Sequence, residues 1–172
     1  MSRAFVKEDD AGEAPIIAPR AALPPGVTNY VTPKGLELLR QELEELEAQR
    51  AKTEASPDEP ANRTRQLTIL KAQISALSER LNNAKVIDNS GQAPEEVRFG
   101  ATVTLKTVKG GKPGLVRTFT IVGVDEASLP QGKIAFVAPI AKAVIGAKPG
   151  QQVTLRFGKE EELVEVTGLV YQ

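Results

Sequence analysis

Two leucine-rich stretches constrain this chain more than any other feature. Leu67, Leu70, Ile74, Leu77, Leu81 and Ala84 recur at alternating steps of three and four residues, and Leu36, Leu39, Leu43 and Leu46 do the same. That spacing places each set on one narrow helical stripe, which is stable in water only when it is laid against another such stripe. Between the stretches lies Ala55-Ser56-Pro57-Asp58-Glu59-Pro60. A proline inside a helix costs about 3 kcal/mol, so the chain is expected to reverse here. The expected object is an antiparallel helical hairpin with Asp58 and Glu59 at its tip.

The first helix carries a clear start signal. Thr32 suits the N-cap, and Pro33 suits the first helical position, where its missing N–H costs nothing. From Pro33 to Glu54 a helix extends about 33 Å at 1.5 Å per residue. Its outer face is acidic (Glu37, Glu42, Glu44, Glu45, Glu47), whereas the second stretch carries Arg63, Arg65, Lys71, Arg80 and Lys85. Each exposed ion pair contributes only ~0.3–1 kcal/mol, so these charges bias partner choice and register more than stability. The seam would also suit a second copy of the chain in a dimeric coiled coil. The double proline favours folding back within one chain.

Composition removes several function classes. Lysine plus arginine and aspartate plus glutamate number 22 each, so no bulk electrostatic pull on nucleic acid is indicated. The sequence has no cysteine and no histidine, which excludes disulfides, thiolate chemistry, Cys/His zinc sites and the usual general base. No apolar run approaches the roughly 20 residues of a membrane span, and the first residues lack the apolar core of a secretory signal. A cytoplasmic, monomeric protein without membrane contact is expected.

The chain divides by composition into four parts. Residues 1–29 read as a flexible tail, with acids, alanines and Pro15, Pro19, Pro24 and Pro25, too little apolar surface to offset ordering. Residues 30–88 read as the antiparallel coiled-coil hairpin, with Val86-Ile87-Asp88 ending its second helix. Residues 89–96 read as a linker. Residues 97–172 alternate β-branched runs with glycine and proline turns: strands at 102–105, 116–124, 133–137, 152–157 and 163–171, and one short helix opened by Pro139 and stopped by Gly146. The fold class is α+β, with the hairpin preceding a small antiparallel β domain that carries one short helix. Ile140 and Val144, one helical turn apart, are expected to fill its core.

Several stretches together resemble the Gre-type bacterial transcription elongation factors. Tyr30-Val31-Thr32-Pro33-Lys34-Gly35-Leu36 and Leu39-Arg40-Gln41-Glu42-Leu43 resemble the start of that family's first coiled-coil helix. Asn83-Ala84-Lys85-Val86-Ile87-Asp88 resembles the end of the second, and Val97-Arg98-Phe99-Gly100-Ala101-Thr102-Val103 the first strand of the C-terminal domain. Phe119 to Ala127 and Ala138 to Gly146 resemble two further family stretches. The likeness covers about residues 30–172 and leaves the tail outside it.

The resemblance implies an FKBP-like C-terminal domain docked at the rim of the secondary channel of bacterial RNA polymerase, with polymerase contacts at Ala138, Pro139 and Lys142. The hairpin would enter the channel, with only indirect contact to RNA and DNA in the elongation complex. In cleavage-stimulating members, tip carboxylates help hold a second Mg²⁺ so that the polymerase cuts backtracked RNA. The implied chain has no catalytic residue and no intrinsic cofactor or metal of its own, only Mg²⁺ shared with the polymerase through Asp58 and Glu59. Three features depart from the family. Its tip has an Asp and then a Glu three residues on, whereas Asp58 and Glu59 are adjacent, and the first helix is about two turns shorter, about 10 Å. Val137 and Ala138 also stand where the family often has polar residues before the proline. The main expectation is a polymerase-binding elongation regulator, and the alternative a cleavage-stimulating factor. A prolyl isomerase is a third reading suggested by the implied fold, but residues 97–172 offer few aromatics to line such a pocket: Phe99, Phe119, Phe136, Phe157 and Tyr171.

Overall fold

The computed structural model describes residues 14–172. Helix α1 (Pro33–Glu54) and helix α2 (Pro60–Asn82) form a hairpin within one chain. They meet along the expected seam: Leu39 and Leu77 are buried together with Val31, and Leu36, Leu43, Leu46 and Leu81 pack around them. Leu70 continues the buried stripe toward the tip. Thr32 caps α1 by accepting the Gly35 N–H at 2.9 Å. Helix α2 begins at Pro60, a full turn and more before the first seam leucine, Leu67. The reversal between the helices uses no glycine and no left-handed residue. Its hold comes from Arg63, which donates to the Ser56 carbonyl at 3.1 Å, and from the Asp58 N–H, which donates to Ser56 Oγ at 3.2 Å.

Two short strands close the base of the hairpin. Strand β1 (Asn29–Val31) precedes α1, and β2 (Ala84–Val86) follows α2; they pair in parallel, with Tyr30 opposite Lys85. Residues 84–86 were expected to complete a helix. They leave it instead because α2 ends at Asn82, with Asn83 as its C-cap, and their backbone groups find partners on β1, with Ile87 N–H donating to the Val31 carbonyl at 2.9 Å. The Asn29 side chain ties β1 to the end of α2 by donating to the Arg80 carbonyl at 3.0 Å.

The C-terminal domain is a curled five-stranded sheet in the order β5-β4-β3-β7-β6. Its strands are β3 (Ala101–Lys109), β4 (Val116–Val122), β5 (Lys133–Ala135), β6 (Gln152–Phe157) and β7 (Glu160–Tyr171). The domain is mostly rather than wholly antiparallel. Strand β5 joins β4 in parallel, because the chain crosses through a single 3-10 turn, Leu129–Gln131, before pairing. Alternation puts Val103, Leu105, Phe119 and Ile121 on the covered face. On β7 the inward set changes phase, from Val164 and Val166 to Leu169 and Tyr171. A bulge accounts for this: Leu105 pairs with Val166 and Thr104 with Gly168, so Thr167 is an extra residue. Helix α3 (Pro139–Val144) lies against β6, with Ala141 and Val144 fully buried and Ile140 partly so, as the spacing of Ile140 and Val144 predicts.

The hairpin base and the sheet domain share a small aromatic joint. Tyr30 stands 6.0 Å from Phe99 and 5.5 Å from Phe136, and Phe99 and Phe136 meet edge to face at 5.7 Å. Lys85 Nζ lies 5.9 Å from the Tyr30 ring centre, a cation–π distance. Across the joint, Gly123 at the end of β4 faces the backbone of β1, where a Cβ would come within 2.6 Å of the Tyr30 carbonyl oxygen. Only glycine permits that approach.

Two outcomes follow from this packing. Leu77→Ala, which empties a fully buried site in the seam, is expected to destabilise the protein by about 2–5 kcal/mol in thermal or denaturant melts. Gly123→Ala is expected to cost about 1–3 kcal/mol by forcing the backbones apart. Hydrogen exchange should show that loss as faster exchange at Tyr30 and Val86, with protection retained in β3 and β7.

Candidate functional site

Three places on this framework bear on function: the hairpin tip, helix α3, and the ionic contact that sets one relative to the other. The tip carries Asp58 and Glu59, both exposed. Glu59 is the N-cap residue of α2; its side chain makes no capping hydrogen bond, and its carbonyl accepts the Arg63 N–H at 3.0 Å. Both carboxylates therefore face solvent at the end of a helix about 33 Å long, measured from the joint. Among the described residues, no cluster of three or more His, Cys, Asp or Glu side chains could hold a metal ion. Two adjacent carboxylates suit a hard cation only as part of a shell, since Mg²⁺ takes about six oxygen ligands.

Helix α3 presents a different surface. Pro139 and Lys142 are exposed and lie three residues apart, hence on one face. Ile145, just past the helix, is 42 % exposed and extends the same edge. Ala138 caps the helix and packs partly against the domain core, so its side chain contributes less surface than Pro139 or Lys142. The turn is fixed by Lys142 N–H donating to the Ala138 carbonyl at 3.0 Å and by Gly146 N–H donating to the Val97 carbonyl at 2.8 Å. The structure thus places Ala138, Pro139 and Lys142 together on the sheet domain, while Asp58 and Glu59 stand at the far end of the hairpin.

The ionic contact was not foreseen from sequence. Asp125 and Glu126, in the turn after β4, both point at the hairpin base with side chains only 5 % exposed. Glu126 accepts from Thr32 Oγ1 at the N-terminus of α1, where negative charge is favoured by the helix dipole, and has Lys133 Nζ at 3.5 Å. Gly35 leaves room for it: a Cβ there would lie 2.6 Å from Glu126 Oε2. Asp125 has Arg80 of α2 at 3.3 Å and Arg20 at 3.0 Å. Arg20 also holds Glu42 of α1 through two bonds of 2.7 and 3.0 Å. The Glu42 hydrogen bond, opposed by burial and helped by the field of Asp125, pushes the Arg20 pKa up from its already high value, so the guanidinium stays charged. The run Val124-Asp125-Glu126-Ala127 carried family likeness, but nothing in its spacing revealed what the acids touch.

Known proteins resemble the chain over both parts. Residues 92–171 match the C-terminal domain of the GreA/GreB transcription elongation factors. A transcription elongation factor GreA of Ralstonia nicotianae is 34 % identical over 156 residues, which cover 82 % of this chain and 96 % of that protein. GreA of Hyphomonas neptunium is 38 % identical over 105 residues, 61 % of this chain and 65 % of the relative. Among solved structures, a prokaryotic elongation factor GreA/GreB from Nitrosomonas europaea aligns over 84 % of this chain and 99 % of its own, at 18 % identity and a TM-score of 0.40. No helix among the described residues is long and apolar enough to cross a membrane. A relative this similar, aligned across hairpin and sheet domain alike, establishes that the chain belongs to the GreA/GreB family of transcription elongation factors, which are not themselves enzymes.

Proposed function

We propose that this chain binds bacterial RNA polymerase at the rim of its secondary channel and places the hairpin in that channel, where it regulates elongation. One observation carries the reading: the apolar seam closes within a single chain, so a stiff arm projects from the sheet domain with both tip carboxylates exposed at its end. The exposed edge of Pro139 and Lys142 supplies the docking surface, one apolar ring beside one cation. The hairpin needs no partner helix to cover its stripe, which leaves its outer faces free to line a channel.

The second reading is cleavage stimulation. Asp58 and Glu59 would then complete the oxygen shell of a Mg²⁺ held chiefly by the polymerase. A metal so placed polarises a phosphoryl oxygen and lowers the pKa of bound water. The exposure of both side chains favours this role. Their adjacency and the shorter arm weigh against it, because a metal ligand must come within about 2.0–2.6 Å of the ion. Regulation by occupancy of the channel makes no such demand on the tip and is the reading preferred.

Competition with a known secondary-channel factor for core polymerase tests the first reading: displacement is expected, and simultaneous binding of both would reject it. Backtracked complexes test the second. Under channel occupancy alone, Asp58→Ala/Glu59→Ala and the unaltered protein leave RNA shortening equal while both bind. Slower shortening with the double substitution at saturating protein would transfer the role to the tip acids.

A further inference from the structure

The segment before β1 lies outside the family likeness, yet its Arg20 sits where the two parts of the molecule meet. We infer that residues 14–25 act as a strap, and that Arg20 is the positioning residue that fixes the direction of the hairpin relative to the sheet domain.

The geometry is that of one cation shared by two carboxylates from different bodies. Arg20 Nη1 and Nη2 donate to the two oxygens of Glu42 on α1, at 2.7 and 3.0 Å. Nε and Nη2 donate to Asp125 Oδ1 in the turn after β4, at 3.1 and 3.0 Å. Neighbouring Arg80 secures the strap itself by donating from Nη2 to the Ala21 carbonyl at 2.6 Å. Four segments therefore meet at one point: strap, α1, α2 and the sheet domain.

The charges make the link directional. Without Arg20, Glu42 on α1 loses its link to Asp125 of the sheet domain. Asp125 keeps Arg80 as partner, so the sheet-domain acid remains neutralised against α2, while α1 loses its tie. Among the described residues no other cation pairs with Glu42. The guanidinium is suited to this task because its five donors lie in a fixed plane; an ammonium cannot hold two carboxylates in the same fork. Side-chain exposure of 20 % for Arg20 and 5 % for Asp125 removes much of the solvent screening from that half of the link, whereas Glu42, 43 % exposed, is held by its two-bond geometry. The strap also borders an open cavity of about 430 Å³ whose lining includes Pro19, Leu46, Ala72 and Ala76 beside Arg20, Glu42 and Asp125.

The absence of cysteine allows a direct test on the full chain. Spin labels at Ala55→Cys, near the tip, and Lys159→Cys, on the sheet domain, report the arm's direction by electron–electron double resonance. A single narrow distance distribution is expected with Arg20 present. Arg20→Ala should broaden it and add a second population, and Arg20→Lys should give an intermediate width, with helical content and melting temperature of both variants close to those of the parent. The inference is overturned if the Arg20→Ala distribution superimposes on the parent's, or if the parent distribution is already broad. An Arg20→Ala protein that loses helical content overturns a purely positioning role as well. The outcome is independent of polymerase, so it stands or falls separately from the channel-binding proposal.

Discussion

The rest of this molecule depends on one apolar stripe meeting another inside the same chain. Leu39, Leu77 and Val31 exclude water at the base of the hairpin, and Leu70 extends the stripe outward. A pair of 22- and 23-residue helices cannot rely on propensity alone for stability. Their contact makes a rod from two marginal segments. The rod then gives meaning to every exposed residue on it, because a side chain at the tip acquires a defined distance from the body. Among the described residues no salt bridge joins α1 to α2, so the apolar seam carries their pairing.

Stiffness alone does not aim a rod. The joint does, through three kinds of contact within a few residues of one another. Tyr30, Phe99 and Phe136 pack as aromatics; Gly123 admits the β1 backbone; Glu126 sits at the amino end of α1 while Asp125 gathers arginines. All three kinds of contact join the hairpin base to the sheet domain. The sheet domain has its own core, built on Val103, Leu105, Ile121 and Val166, and Phe99 and Phe136 of the joint pack against it.

How much of this was legible in the sequence follows the range of each interaction. The seam repeats every few residues, so its period revealed the hairpin, and Thr32-Pro33 and Pro57–Pro60 marked where α1 begins and the chain turns. Strand alternation and glycine turns revealed β6 to its ends and β4 to within two residues, but only 102–105 of β3 and β7 from residue 163 rather than Glu160. The β1–β2 pair was hidden because each strand has three residues and its partner lies 55 positions away, as Asn29 opposite Ala84; next to a helix, Ala84-Lys85-Val86 looks like more helix. The bulge at Thr167 and the parallel arrival of β5 belong to pairing, not to local preference. Arg20 was hidden for a related reason. Composition forecasts whether a segment can bury apolar area, and residues 14–28 cannot bury much. One arginine can still anchor such a segment when its partners, 22 and 105 positions away, are brought together by the fold. At the candidate site, the exposure of Asp58, Glu59, Pro139 and Lys142 was readable because exposure at a turn or helix edge is a local property. The acids that orient the arm were not.

The reversal at the tip has a further implication. It is built from Pro57 and Pro60 around Asp58 and Glu59, with every residue in ordinary right-handed or extended backbone. Proline narrows the range of shapes open to a segment before it is confined. A glycine loop of equal length would have to surrender that freedom on entering a narrow passage. Under the proposed insertion this end would arrive already shaped, so confinement would take little entropy from it and the tip would enter and leave without refolding.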